Sequence, residues 1–428
     1  MPALSAYGRA SAEPSPVNRM MAGVAADFRQ GVDVNLGVGY VNEATVPRQL
    51  ISQAVGEVVG DGERYPLALN YGGPHGTARL IRSLQRYLAA HDAGYRAAGG
   101  GFLDDREIIV GANGATSLLE SLATVLGPGL VVTGDPSYYI YTSYLRRAGF
   151  DILAIPEDEQ GIPPEAVAAR LGRMSREERA AIRFVYAMAV GNPTSTVLAR
   201  ERQHRLLEIV RDLSESRGEA VPLVVDRAYV DLVHDPALAR PTSLASHDRE
   251  GLLFEVGTVS KILAPGLRVG YLVGAPGPMM QALVQRTSDL GFSAPPLNQE
   301  VVSWLLDHHI GTQLQKVIGE YREKALRVRG WLDRYLGNRL SEVRGGGAGF
   351  YYYVTLERTR TDEASAFFRE LTLPAGDRPR VLYLPGEHCV EPGGELGGVA
   401  RRQMRLSYGF ESLDRIEVAL RRMGEVVD

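Results

Sequence analysis

The sequence predicts an α/β protein: a large domain with a mostly parallel seven-stranded sheet covered by helices, plus a smaller α+β domain from the C-terminal part and the N-terminal segment. Three observations lead there. Seven short apolar runs rich in Val, Ile and Leu mostly lack alternation, as strands covered on both faces require. Stretches of helical period lie between many of them, which implies parallel strands with crossover helices. After Pro295-Pro296 the pattern becomes long, charged and helical, with strand-like runs returning only beyond residue 340.

Taken in order, residues 1–49 read as a loose N-terminal arm and a segment of the small domain. Thr45-Val46-Pro47 opens a helix whose Leu50, Ile51, Ala54, Val55 and Val58 share one face. Thr77 to Leu88 repeats the device with Leu80, Ile81, Leu84 and Leu88. The strand candidates follow at Glu107–Val110, Leu130–Thr133, Asp151–Ile155, Arg183–Ala187, Leu223–Val225, Leu252–Val256 and Val269–Val273, with a helical run at Ala199–Leu213 before the fifth. These place the large domain at residues 50–300. Residues 301–428 form the small C-terminal domain, with strands expected in "GGGAGFYYYVTLE", "RVLYLPG" and "RQMRLSYG".

Composition narrows the class. A net charge of -4 shows no bias toward nucleic acid or an anionic membrane. The single cysteine, Cys389, excludes an internal disulfide and a cysteine-rich metal site, and no histidine falls in a metal-binding spacing. No metal is expected. No apolar run approaches 18 residues, and the N-terminus lacks the apolar stretch of a signal peptide, so a cytoplasmic protein is expected. GxSxG, GxxxxGK and an intact GxGxxG are all missing, which removes the devices of hydrolase, P-loop and dinucleotide chemistry.

One residue choice stands out. Of 47 basic residues only Lys261, Lys316 and Lys324 are lysines. Arginine stays protonated and cannot act as an amine nucleophile, whereas a lysine of lowered pKa can. Lys316 and Lys324 lie in a charge-rich helical run and read as ordinary solvated side chains. Lys261 sits in "GTVSKILAPGLRVGY", between a strand and an apolar turn.

Further pieces converge on Lys261. "GNPTST" sets Asn192 just after a strand; "VVDRAY" sets Asp226 at a strand end with Tyr229 three residues on. "TVSK" carries Thr258 and Ser260, Arg268 follows the lysine, and "MRLSYG" carries Arg405. Strand ends of α/β sheets are where ligands bind. In this order the motifs resemble the class I/II aminotransferases that depend on pyridoxal 5'-phosphate, the fold type I group, from about Val34 to the C-terminus. "LGFSAPPLNQ" and "VLYLPGEHC" are similar to the 2-aminoadipate and kynurenine aminotransferase branch.

The resemblance implies roles. Lys261 matches the lysine that forms the internal aldimine and moves the proton between Cα and C4′. Asp226 matches the carboxylate that keeps the pyridine nitrogen protonated, making the ring an electron sink. Asn192 and Tyr229 match the partners of the phenolic oxygen, and Tyr138, in "GDPSYY", the aromatic that stacks on the ring. Ala115 and Thr116, in "NGATS", match backbone donors to the phosphate at a helix start, with Thr258 and Arg268 adding a hydroxyl and a charge. Tyr71, in "LNYGG", resembles the tyrosine that reaches the neighbouring subunit's phosphate, which implies a homodimer with shared sites. Arg405 matches the arginine that grips the substrate α-carboxylate, and Gly39, in "NLGVGY", the glycine that borders it.

Taken singly, each residue has a plainer explanation. Asp226 could cap a helix, Asn192-Pro193 could mark a turn, the tyrosines could be packing, and Arg405 could face solvent on a strand. Joint occurrence in the family's order is what carries the assignment. One position departs: the family reads Asn-Pro-Thr-Gly where this chain has Ser195. If that position needs positive φ, serine there brings strain or a changed turn.

The resulting expectation is an aminotransferase that moves an amino group between an α-amino acid and a 2-oxo acid by a ping-pong mechanism through the Lys261 aldimine, with no nucleic-acid or membrane partner. The alternative on the same scaffold is β- or γ-elimination or replacement, for example on an S-adenosylmethionine-like substrate. A transcriptional regulator using such a domain as a ligand sensor would need a DNA-binding module, for which no helix-turn-helix pattern is visible.

Overall fold

The computed structural model describes residues 3–25, 27–99, 101–374 and 376–428. Helices α1 (Pro16–Ala25), α2 (Arg48–Gly60) and α3 (Ala78–His91) precede the main sheet. The segment 1–49 is thus not simply a loose arm. Ser15 Oγ accepts from Asn18 N, proline opens α1, and Val17, Met20 and Met21 bring an apolar stripe onto Tyr353, Leu384 and Cys389. An apolar stripe of only three residues is too short to register as a helix by periodicity, so the packing decides it.

The main sheet holds β1 (Glu107–Val110), β2 (Leu130–Asp135), β3 (Asp151–Pro156), β4 (Ile182–Met188), β5 (Leu223–Asp226), β6 (Leu253–Thr258) and β7 (Gly270–Gly274). Its order is β1-β7-β6-β5-β4-β2-β3. The run β6-β5-β4-β2-β3 is parallel, and β7 lies antiparallel to both its neighbours. Within β4, Phe184 and Tyr186 face one apolar layer while Val185 and Ala187 face the other, so both faces are covered. This is why the strands read as continuous apolar runs. Each buried Val, Leu or Phe contributes roughly 1.5–3 kcal/mol of transfer free energy.

Helices α4 (Gly114–Leu126), α5 (Tyr139–Arg147), α6 (Arg200–Arg217) and α7 (Pro278–Asp289) pack around that sheet. The charged region after Pro295 is two helices, α8 (Pro296–His308) and α9 (Ile310–Tyr335), separated at His309. Lys316 is exposed, but Lys324 is not the solvated side chain its neighbours suggest. It is 6% exposed, and its Nζ donates to the carbonyls of Gly409 and Glu411 at 2.9 and 2.7 Å. Two free carbonyls on a distant loop need a donor, and no pattern local to α9 reveals them.

A second sheet is antiparallel. It joins β8 (Leu340–Gly345), β9 (Tyr351–Leu356), β10 (Leu384–Pro385) and β11 (Gln403–Ser407) in the order β10-β11-β9-β8, and α10 (Leu413–Val426) closes the chain against α9. The β8–β9 turn needs its glycines: at Gly346, φ is +81° and a Cβ would sit 2.2 Å from the Tyr352 hydroxyl. Val34–Asn35 pairs in parallel with Val381–Leu382, tying the N-terminal segment to the C-terminal part. Among the described residues, no helix is long and apolar enough to cross a membrane, and no group of His, Cys, Asp or Glu is placed to hold a metal ion.

Candidate active site

Because β2, β4, β5 and β6 run parallel, their carboxyl ends open on one edge of the sheet. Tyr138 follows β2, Asn192 follows β4, Asp226 ends β5, and Thr258 ends β6 with Lys261 three residues on. Together with Ala115, Thr116, Tyr229 and Arg268 these residues line one pocket, whose apolar walls include Leu119, Met188, Val190 and Pro265. Nine residues singled out from sequence therefore meet at one place.

One end of the pocket is built for an anion. Ala115 and Thr116 lie in the first turn of α4, where backbone N–H groups have no intrahelical acceptor. Arg268 crosses this turn: Nε donates to Asn113 Oδ1 at 2.7 Å and Nη2 to the Asn113 carbonyl at 2.9 Å. Gly114, at φ +71°, makes room, since a Cβ there would come within 3.0 Å of Nη2. Gly270 lets β7 approach equally closely, because its Cβ would lie 2.2 Å from Ala115 N. A fixed cation beside a helix N-terminus favours phosphate. The Thr258 hydroxyl is 2.8 Å from both Ser260 Oγ and the Val269 carbonyl.

At the centre, Asp226 Oδ1 accepts from Ala228 N and Oδ2 from the Tyr186 hydroxyl, each at 2.9 Å. Burial raises the Asp226 pKa; those two donors and the Lys261 charge hold it back. Lys261 is lowered to about 8, first by burial and then by Arg405 and Arg268, against the pull of Asp226. Its ammonium lies 5.4 Å from the Tyr229 ring centre and 5.7 Å from that of Phe350. A lysine so poised gives up its proton far more readily than a solvated one, so the neutral amine becomes the main form from about pH 8 upward.

The third part comes from the second sheet. Arg405, 1% exposed, enters from β11. Nη1 donates to Asn192 Oδ1 at 2.8 Å, Nη2 to the Gly37 carbonyl at 2.7 Å, and its buried Nε has no partner. A buried guanidinium with an unpartnered Nε, and with no carboxylate in an ion pair with it among the described residues, is short of an anion. Gly37 is the residue of the "LGVG" stretch that meets Arg405. Gly39 lies against Tyr351, where a Cβ would come within 2.7 Å of the hydroxyl.

Tyr71 stands apart from this pocket. It is 84% exposed, and its ring lies 6.5 Å from that of Phe292. Ser195 does take positive φ, +53°, with its buried hydroxyl unpartnered. Sequence reasoning missed Tyr186, Asn113 and Tyr351. Tyr186 and Tyr351 sit inside apolar strands where they read as core, and Asn113 reads as a turn residue. No local signal marks them.

The residues fit a flat, phosphorylated aldehyde with a ring nitrogen: an anion cradle at one end, a buried carboxylate, an amine, and a guanidinium short of an anion. The sequence profile described as aminotransferase class I and II matches residues 34–393. The chain belongs to this family, and so is an enzyme that transfers amino groups; the family depends on pyridoxal 5'-phosphate. It is 31% identical over 302 residues to the 2-aminoadipate transaminase of Thermus thermophilus, covering 69% of each chain. It is also 26% identical over 396 residues to an uncharacterised HTH-type transcriptional regulator, YisV, of Bacillus subtilis, across 92% of this chain and 73% of that one. Its fold is similar to that of a multiple substrate aminotransferase from Thermococcus profundus, with a TM-score of 0.82 at 20% identity over 99% and 97% of the two chains.

Proposed function

We propose that this aminotransferase holds pyridoxal 5'-phosphate in the pocket described and moves an amino group between an α-amino acid and a 2-oxo acid in two successive half-reactions. The observation that carries this is that Lys261 and Asp226 line one cavity with Asn192, whose Oδ1 in turn accepts from Arg405 of the second sheet.

Ala115, Thr116 and Arg268 hold the phosphate, assisted by Thr258. Tyr138 would cover a ring face, and Asn192 and Tyr229 would donate to the phenolic oxygen. Asp226, which accepts from Tyr186 and Ala228, would pair with the ring nitrogen. When bound, the cofactor supplies an electron sink for the charge left on Cα. Lys261 would be the amine that holds the cofactor's carbonyl end, and its Nζ would take up and return the substrate's α-proton. Arg405 turns its free donors to the substrate α-carboxylate and fixes the Cα–H bond for Lys261. Gly39 leaves room at that end.

The proposal extends to the molecule's organisation: a segment 1–49, a cofactor-binding domain at 50–300 and a small domain at 301–428, paired as a cytoplasmic homodimer. The exposure of Tyr71 supports the pairing, because an aromatic left open to solvent is available to a second copy.

The test is the absorbance spectrum of the purified protein with added pyridoxal phosphate, glutamate and a panel of amino acids, against Lys261→Ala. A violet-region band that bleaches with release of a 2-oxo acid, and is absent from Lys261→Ala, supports transamination. A long-lived red-shifted band with a released leaving group and no oxo acid points instead to elimination or replacement. No cofactor band, together with sequence-specific DNA binding in a gel shift, sinks the enzyme reading.

A further inference from the structure

Tyr351 is not among the residues that motif order brings to the site, yet it touches three of them. Its hydroxyl lies 2.9 Å from the Tyr229 hydroxyl. Its ring lies under the Arg405 guanidinium, 4.4 Å from the ring centre. Gly39 leaves room for that hydroxyl, because any Cβ there would come within 2.7 Å of it. Both tyrosines are buried, so neither hydroxyl exchanges its partner for bulk water.

We propose that Tyr351 is a positioning residue for the cofactor, acting through Tyr229: it donates its hydroxyl proton to Tyr229 Oη and so leaves the Tyr229 proton directed at the cofactor's phenolic oxygen. The inference rests on the cofactor reading above. The geometry supplies the reason. A hydroxyl has one proton, and Tyr229 cannot donate both to Tyr351 and to a cofactor. Each ring faces a cation, but Arg405 lies 4.4 Å from the Tyr351 ring centre and Lys261 5.4 Å from that of Tyr229, so the charge that develops on the Tyr351 oxygen is the better stabilised and Tyr351 is the better donor. A donor that itself accepts a hydrogen bond is strengthened, by roughly 10–30% per bond. The other charged and titratable groups around the pair are Lys261 over the Tyr229 ring, with Tyr138, Tyr139, Tyr321, Tyr408 and Cys389 near the two tyrosines.

The consequence is electronic rather than steric. Donation to the phenolic oxygen stabilises its negative charge and loosens the proton on the neighbouring nitrogen, which lowers the pH midpoint of the holoenzyme's absorbance band. Tyr351→Phe keeps the ring under Arg405 and removes only the relay.

The experiment is a pH titration of the cofactor band in wild-type holoenzyme, Tyr351→Phe, Tyr229→Phe and the double variant, with steady-state kinetics alongside. Tyr351→Phe is expected to raise the midpoint by roughly 0.2–0.5 pH units, the share that one relayed bond holds of a charge-assisted hydrogen bond. Tyr229→Phe is expected to raise it further, and the double variant to match Tyr229→Phe alone, because the relay has nothing left to act through. An unchanged midpoint in Tyr351→Phe overturns the inference while leaving the cofactor reading intact. So does a shift that persists in the Tyr229→Phe background, or a raised KM with no spectral change, which makes Tyr351 a direct substrate contact. A wild-type protein without any cofactor band overturns both.

Discussion

Arg405 donates through Nη1 to Oδ1 of Asn192, 2.8 Å away and 213 residues distant in the chain. The bond runs from the central strand pairing of the antiparallel sheet to the loop after β4, so the residues proposed to bind the carboxylate and those proposed to bind the ring share one side-chain contact. A neutral acceptor leaves the guanidinium charge uncompensated, and ready for an anionic substrate.

Arg405→Lys is therefore expected to lose the forked geometry while retaining charge. A loss of about 2–4 kcal/mol, roughly 30- to 1,000-fold in kcat/KM for an α-amino acid, is expected from steady-state kinetics. Asn192→Ala should cost less at this end, since it removes a neutral partner worth about 1 kcal/mol. Equal kcat/KM in wild type and Arg405→Lys would remove Arg405 from substrate binding.

Tyr186 lies beneath the site and donates to Asp226 Oδ2 at 2.9 Å. In Tyr186→Phe the buried carboxylate loses a donor worth about 1.5–3 kcal/mol. Its pKa rises further, so the acid side of the pH–rate profile moves to higher pH and kcat at neutral pH falls by roughly tenfold. An acid limb that stays in place would show that Tyr186 only packs.

Lys261 has a folded-state pKa lowered from 10.5 to about 8. Below about pH 8 the cofactor-free fold bears the cost of a buried ammonium, and the unfolded chain binds that proton more tightly through pH 8–10.5. Stability therefore rises with pH across that window. Lys261→Met should be more stable than wild type at neutral pH, by about 3 kcal/mol at most and less after solvent screening, with the difference shrinking through pH 8–10.5. Denaturant unfolding of the two apoproteins at pH 7 and 10.5 measures this; a pH-independent difference would contradict it.

Ser195 holds φ +53° with an unpartnered hydroxyl against Gly349, whose Cβ would lie 2.7 Å from Oγ. Ser195→Gly should stabilise the protein by roughly 0.5–1 kcal/mol, as relief of the left-handed backbone outweighs glycine's extra chain entropy. Ser195→Val should destabilise it by more than about 2 kcal/mol, because a β-branched residue at that φ is strained and overfills the notch. Urea denaturation of the pair gives both signs at once.

Most of the sheet and much of the site could be read from the chain because their signals are local. A strand buried on both faces announces itself as an apolar run, as at Ile182–Met188, and helix starts such as Thr77 carry their own caps. Lys261, Asp226 and Asn192 follow strand ends directly, so the parallel order alone brings them near each other. The N-terminal helix and the buried Lys324 were misread for the opposite reason: their partners lie hundreds and tens of residues away, at Tyr353 and Leu384 for Val17 and at Gly409 and Glu411 for Lys324.

By itself the sequence determined the fold class, the order of the strands along the chain, the scarcity of lysine that marks Lys261, and the residue types a phosphate, a ring nitrogen and a carboxylate require. The tertiary structure alone decided that Arg405 meets Asn192 and Gly37, that Tyr186 supports Asp226, and that Tyr351 stands between Tyr229 and Arg405. Periodicity and capping report interactions within a few residues. Hydrogen bonds between buried side chains depend on which strands become neighbours, and that is settled only when the sheets close over their common core.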